Sequence, residues 1–142
     1  MKNIIILFFL TFSLVTNAQI KQTQLPASKS IVGIWRQTTW VQNDKSFKIL
    51  TGNYKVINTD STYFTFVTWP EKTVIGHYGS YEITSDSTLV EHIITHSIHP
   101  NLNGKDQFTK FKQIDENTMN MAWSLDNKNW VNEEWTRLPL SR

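Results

Sequence analysis

The fold of this chain depends on residues 75–97, which read IGHYGSYEITSDSTLVEHIITHS. β-Branched and aromatic residues fill both halves of this stretch, and the polar residues 84–87 separate them. Such a pattern is typical of two strands joined by a tight turn. The second half also permits a helix, because its aliphatic residues fit a helical stripe. Its many β-branched residues and the turn signal favour a strand, so we predict a hairpin of strands 75–83 and 88–97.

Six further segments have the same composition and are separated by short runs rich in Asn, Asp, Ser and Pro. They cover residues 33–40, 52–58, 62–68, 107–113, 118–124 and 130–137. Alternation places Met121 and Trp123 on one face of their strand, and Glu133 on the same face as Trp135. Eight strands with short loops and no convincing helix favour an all-β fold of antiparallel hairpins, either a barrel or a sandwich, and our prediction is an antiparallel up-and-down barrel of eight strands.

The N-terminus has the layout of a secretory signal peptide. Lys2 precedes a run of apolar residues 4–15, and small residues lead to Ala18. The run is shorter than the roughly 20 apolar residues that span a bilayer as a helix. We therefore expect a signal peptide over residues 1–18, a flexible lead-in over 19–30 and a barrel domain over 31–142. The mature protein is then exported, to the periplasm or beyond, with no membrane span.

Composition excludes several classes of function. The chain has no Cys, which excludes disulfides, Cys-zinc sites and thiol catalysis. Lys and Arg number 14 against 12 Asp and Glu, and loss of Lys2 with the leader leaves a net charge of +1. So small a charge argues against a nucleic-acid partner. No nucleophile elbow, phosphate-binding glycine loop or acid–base pair stands out, so enzymatic activity is not favoured and we expect no cofactor.

Gly33-Ile34-Trp35 resembles the Gly-x-Trp signature that opens the first strand of lipocalins. Together with residues 79–83, 86–92 and 130–137, it makes the chain similar to a family of small secreted bacterial lipocalin-like domains of uncharacterised function. The resemblance implies that Trp35 closes one end of the barrel and that Arg137, on the last strand, packs across its ring. Such a pair gains from cation–π attraction, and Gly33 permits close approach of the backbone.

Three histidines are the clearest polar candidates. On a strand, His92 and His96 lie about 13 Å apart, too far to share one zinc ion. If residues 85–86 form a two-residue loop, His77 opposes Ile94 and lies diagonally between those two histidines, about 7–8 Å from each. This register directs His77, Tyr81, His92 and Ile94 inward. A slip of one residue would turn the set to the opposite face.

Three functions remain open from the sequence. The first is a binding module, with a small apolar or amphipathic molecule held inside the barrel. Its candidate lining residues are Tyr63, Phe66, His77, Tyr81, His92, Ile94, Met121 and Trp123. The second is metal or haem binding through His77, His92 and His96. The third is a solid barrel with a structural or interaction role, because eight strands enclose an interior that side chains alone can fill.

Overall fold

The computed structural model of the chain describes residues 30–42, 45–49 and 52–139, so the expected signal peptide and nearly all of the lead-in lie outside the described residues. Nine strands and one turn of 3-10 helix occur in this part of the chain. None of its helical residues forms a segment long and apolar enough to cross a membrane. The strands are Gly33–Gln42 (β1), Lys45–Lys48 (β2), Gly52–Ile57 (β3), Thr62–Trp69 (β4), Lys72–Ile83 (β5), Thr88–His96 (β6), Asp106–Gln113 (β7), Thr118–Ser124 (β8) and Val131–Arg137 (β9), and the helical turn is Pro100–Leu102.

The strands form one closed ring. From β3 to β9 each strand pairs antiparallel with the next, and β9 returns to pair with β1. On its other edge β1 pairs with β3 through residues 33–36 and with β2 through residues 39–42. The short strand β2 was not predicted; it occupies the same position in the ring as β3. The predicted all-β fold, a closed eight-stranded antiparallel up-and-down barrel, is confirmed.

One end of the barrel is packed with large apolar side chains. This closed end lies where β1 begins and β9 ends. Trp35 is fully buried at its centre, and its indole Nε1 donates to the carbonyl of Ile31 at 2.7 Å. The other members of this core are Ile31, Ile57, Tyr63, Tyr81, Leu89, Phe111, Met119, Met121 and Trp135. Burial of these side chains is the main source of stability in a chain without disulfides.

The predicted contact between Trp35 and Arg137 is confirmed. The guanidinium carbon lies 4.2 Å from the centre of a Trp35 ring. The same guanidinium donates to the carbonyls of Val32 at 2.5 Å and Ser30 at 2.7 Å, which fixes the segment that enters β1. Gly33 has a φ of 147°, and a Cβ there would lie 2.5 Å from a guanidinium nitrogen. Glycine is therefore required at this position for both conformation and space.

The predicted register of the β5–β6 hairpin is wrong. Ile83 pairs with Leu89, and the N–H of Thr84 donates to the carbonyl of Thr88 at 3.0 Å, so the loop contains three residues, 85–87, rather than two. The extra residue shifts β6 by one position and exchanges its two faces. His92 and Ile94, predicted to line the interior, therefore lie on the outer face, with Ile94 60% exposed.

Phe66 is also on the outer face, contrary to the prediction that it lines the interior. Tyr63 and Thr65 are the buried residues of β4, so alternation directs Phe66 outward. Its ring stacks on Tyr54 of β3 with centroids 4.9 Å apart and lies 6.0 Å from Phe64. An aromatic residue on a barrel strand is thus not by itself a sign of an interior position.

Candidate functional site

A cavity of about 290 Å³ occupies the opposite, open end of the barrel. We call it the mouth cavity. It lies between the strand ends and the β6–β7 connection, which contains the 3-10 turn Pro100–Leu102. Its apolar lining comprises Val67, Gly76, Ile98, Leu102, Met121, Trp123 and Trp135, and its polar lining comprises Asn53, Lys55, Thr65, His77, His96, His99, Gln107, Thr109 and Glu133. Its volume is at the lower end of the range for small-molecule pockets, about 300–1,000 Å³.

An ion pair lies across the floor of the mouth cavity. The Lys55 ammonium on β3 donates to the Glu91 carboxylate on β6, and both side chains are almost completely buried. Gln107 donates to the second carboxylate oxygen of Glu91 at 3.1 Å. Buried charges are tolerated when they are paired and hydrogen-bonded in this way. The pair separates the apolar closed end from the cavity above it.

His77 extends from β5 into the mouth cavity. Its backbone N–H donates to the Thr65 hydroxyl at 3.0 Å, and that hydroxyl lies 3.0 Å from His77 Nδ1, its nearest acceptor. His77 Nε2 is buried and has no partner among the described residues. Burial, with the Lys55 and His96 charges, lowers the pKa of His77 to about 3. The His77 ring is therefore neutral at neutral pH and carries one N–H donor and one acceptor nitrogen.

His96 and His99 form the rim of the cavity beside His77. The rings of His77 and His96 stack with centroids 4.9 Å apart, and the ring of His99 lies 5.1 Å from that of His96. His96 Nδ1 accepts the backbone N–H of His99 at 3.1 Å. Burial lowers the pKa of His96, and the His99 charge acts in the same direction. A bulge between β5 and β6 at Gly79 makes this contact possible, since it aligns His96 with His77.

Two buried hydroxyl groups near the cavity have no partner among the described residues. Thr109, 2% exposed, lines the cavity from β7. Tyr63, also 2% exposed, lies deeper, with its ring 5.5 Å from His77 and 5.2 Å from the Lys55 ammonium. Burial raises the pKa of Tyr63, as does the Glu91 charge, so its hydroxyl keeps its proton. Unpaired buried hydroxyl groups are costly, and an acceptor on a bound molecule would satisfy them.

Glu133 on β9 lines the cavity on the side of the tryptophans. The indole Nε1 of Trp123 donates to Oε1 at 2.9 Å, and that of Trp135 donates to Oε2 at 2.9 Å. Burial raises the pKa of Glu133, while the Trp123 hydrogen bond, the Lys55 charge and the Trp135 hydrogen bond oppose that shift. The two N–H donors on its two oxygens favour the ionised carboxylate, but burial outweighs them and the pKa of Glu133 stays above its usual value.

A family model described as a domain of unknown function, DUF4488, matches residues 30–142. The chain belongs to this family. No curated protein matches it. In this DUF4488 chain the match covers the whole described barrel, including every residue of the mouth cavity.

The structure separates the sequence-predicted lining residues into four groups. His77, Met121 and Trp123 line the mouth cavity. Tyr63 lies below it, beside His77. Tyr81 belongs to the closed-end core, where its hydroxyl donates to the carbonyl of Asn58 at 2.7 Å. Phe66, His92 and Ile94 lie outside the barrel.

The three histidines predicted as a metal alternative do not meet. His92 Nδ1 lies 2.6 Å from Asp106 Oδ1 on the outer surface, whereas His77 and His96 stack at the rim of the cavity. Within residues 30–42, 45–49 and 52–139, no group of three or more His, Cys, Asp or Glu side chains has a geometry suited to a metal ion. The register of β6 is the reason, because it places His92 on the wrong face for such a site.

The sequence pattern does not reveal the polar floor of the cavity. Lys55 lies on the same face of β3 as Asn53 and Ile57, but a lysine gives no sign of burial. Glu91 is next to His92, so the predicted register, which directs His92 inward, turns Glu91 outward. Glu133 has a usable signal, since it shares a face with Trp135, although carboxylates are usually exposed. Buried charges contradict the usual hydrophobic pattern, so pattern alone does not find them.

A second concavity lies on the outer surface and differs in character. This groove, about 680 Å³, runs over β7, β8 and β9 and is lined by exposed polar side chains such as Lys110, Lys112 and Asn120. It is larger than the mouth cavity but shallow and open to solvent. The mouth cavity is the better candidate site, since its polar groups are buried and converge.

Proposed function

We propose that this protein is an exported, lipocalin-like binding protein that holds a small amphipathic molecule in the mouth cavity. The observation that carries the proposal is the combination of apolar walls with buried polar groups that lack partners. His77 and Thr109 both line this cavity, and His77 Nε2 and Thr109 Oγ1 are buried without partners among the described residues. Ligand sites typically join apolar surface to a few such convergent polar groups.

The lipocalin-like interpretation is supported by the closed end of the barrel. The Gly-x-Trp motif at Gly33 and Trp35, with Arg137 over the indole, matches the closure expected from the resemblance. Export is supported by the charged, apolar and small-residue order of residues 1–18. A barrel that is filled at one end and concave at the other suits a carrier better than a solid structural element.

The hydrogen-bond inventory supports a binding role over simple packing. A barrel that only needed stability would gain by filling this space with apolar side chains, because buried donors without acceptors cost about 1–3 kcal/mol each. Here strands β5 and β7 both direct such groups into one cavity. A bound molecule with oxygen or nitrogen acceptors would recover that energy.

The test is native mass spectrometry of the full chain, expressed with its own leader and purified from the exported fraction. We expect an intact mass that begins at Gln19 and a bound small molecule. Val67→Phe should fill the mouth cavity and abolish the bound mass, because Val67 lines it. Val56→Phe is the matched control, since Val56 lies on the outer face between Ile34 and Phe64.

Three results would contradict the proposal. A protein retained in the cytoplasm with its leader intact would remove the exported role. A wild-type protein that carries no small molecule and takes up none of a panel of amphipathic probes would remove the binding role. If Val67→Phe and Val56→Phe retain the bound molecule equally, the ligand does not lie in the mouth cavity.

A further inference from the structure

The charges around the mouth cavity do not balance. Lys55 contributes one positive charge, and Glu91 and Glu133 contribute two negative charges. Lys55 bonds directly to Glu91, so its charge is already shared with a partner that is closer than Glu133. With both carboxylates ionised, the cavity has an excess of one negative charge. An excess charge in a partly buried site is unfavourable unless something positive compensates it.

Apart from Lys55, which bonds to Glu91, the strand neighbours of Glu133 supply no positive charge. Glu133 pairs with Trp40 on β1 and with Met121 on β8, and neither residue is charged. Across the cavity His77 is neutral, because burial lowers its pKa to about 3. His96, stacked on His77, accepts a backbone N–H through Nδ1, which also requires the neutral ring. A proton on Glu133 or a cation from outside would supply the compensating charge.

The surroundings of Glu133 favour an organic cation. Trp123 and Trp135 each donate one hydrogen bond to a different carboxylate oxygen, and each oxygen keeps a further lone pair. These indoles hold the carboxylate in place and line the same cavity, where they offer apolar area. Thr109 adds a buried hydroxyl without a described partner on the same cavity wall. An ammonium with a compact apolar body matches this set of groups.

We propose that the molecule bound in the mouth cavity is a small organic amine whose ammonium pairs with the Glu133 carboxylate. This inference rests on the proposed binding function and specifies the class of its ligand. The amine donates to the free lone pairs of Glu133, its apolar body contacts Met121 and Trp123, and the Lys55–Glu91 pair below remains intact.

The test compares three probes of one shape by isothermal titration at neutral pH: phenethylamine, phenethyl alcohol and phenylacetate. Wild-type protein should bind the amine at least about tenfold more tightly than the alcohol, since charge-assisted hydrogen bonds exceed neutral ones, and should bind phenylacetate most weakly. Glu133→Gln should reduce the affinity for the amine to that of the alcohol. Glu134→Gln is the matched control, because Glu134 is the adjacent carboxylate on the outer face and is exposed.

Each outcome has a distinct meaning. Equal affinities for amine and alcohol in the wild type overturn the amine inference and leave the binding function standing. If phenylacetate binds most tightly, the amine inference is also overturned, and Lys55 is the group that pairs with the ligand. Failure of all three probes counts against both proposals. If Glu133→Gln does not fold, the wild-type series alone decides, because the three probes differ only in the group that meets the carboxylate.

Discussion

The two ends of the barrel use tryptophan in opposite ways. At the closed end Trp35 is fully buried, its Nε1 bonds to a backbone carbonyl and Arg137 covers its ring. At the open end Trp123 is only partly buried, and its Nε1 bonds to the Glu133 side chain at the cavity wall. The same residue type thus serves packing at one end and orientation of a carboxylate at the other.

Stability and binding depend on different ends of the barrel. At the closed end the Trp35 indole and the Arg137 guanidinium donate to backbone carbonyls. The open end contains His77 Nε2 and Thr109 Oγ1, buried without described partners. The Lys55–Glu91 pair lies at the boundary between them. We expect substitutions at the closed end to reduce stability most and substitutions at the open end to change binding most.

The largest expected effect comes from truncating the two tryptophans. Trp35→Ala should lower the free energy of unfolding by about 3–5 kcal/mol, because it opens a large cavity in a filled core. Trp123→Ala should cost only about 1–2 kcal/mol, since part of its surface already faces a cavity. Urea unfolding followed by circular dichroism measures both. Equal losses would show that the two ends do not differ in packing.

The histidine at the open end is expected to have a smaller effect for each unit of pH. The unfolded chain binds a proton on His77 near pH 6.5, but the folded chain does so only near its lowered pKa of about 3. The unfolded state therefore holds more protons between these values, and the free energy of unfolding falls as the pH falls. His77 alone should remove up to about 1.4 kcal/mol per pH unit in this interval.

Urea unfolding at a series of pH values tests that slope in His77→Gln. The variant should lose less stability in acid than the wild type. His92→Gln is the matched control, because His92 is exposed on the outer face. Identical acid dependence in His77→Gln and the wild type would mean that His77 takes up its proton in the folded state as readily as in the unfolded one.

The smallest effect distinguishes two buried threonines. Thr109→Val should raise the free energy of unfolding by about 1 kcal/mol, because it removes a buried hydroxyl that has no described partner. Thr65→Val should cost about 1–2 kcal/mol, since it removes the acceptor of the His77 N–H. Thermal unfolding of both variants makes the comparison. A lower free energy of unfolding in Thr109→Val than in the wild type would show that the Thr109 hydroxyl makes an internal hydrogen bond.

Much of the fold could be predicted from local sequence. The turn residues and β-branched runs located all eight strands of the ring, because strand propensity and turn chemistry are local properties. The short strand β2 was missed, since its residues are all exposed and show no alternation of burial. The contact of Trp35 with Arg137 was predictable as well, but only through the resemblance.

The candidate site was predicted in part. His77, Met121 and Trp123 were placed correctly because the strands that carry them have clear patterns. His92 and Ile94 were misplaced by a hairpin loop one residue longer than expected. That single residue exchanges the two faces of β6. Glu91 therefore lies on the inner face, where the predicted register does not place it. Register is a pairwise property, so one strand alone does not define it.

The sequence by itself determined an all-β chain of short antiparallel strands, because alternation and turn residues act over a few neighbours. Only the tertiary structure decided which charges are inside. Lys55, Glu91 and Glu133 come from three different strands, and their burial depends on closure of the ring and on the exact pairing of each strand with the next. Closure is a long-range event, and the energy of a buried charge depends on partners that are distant in the chain.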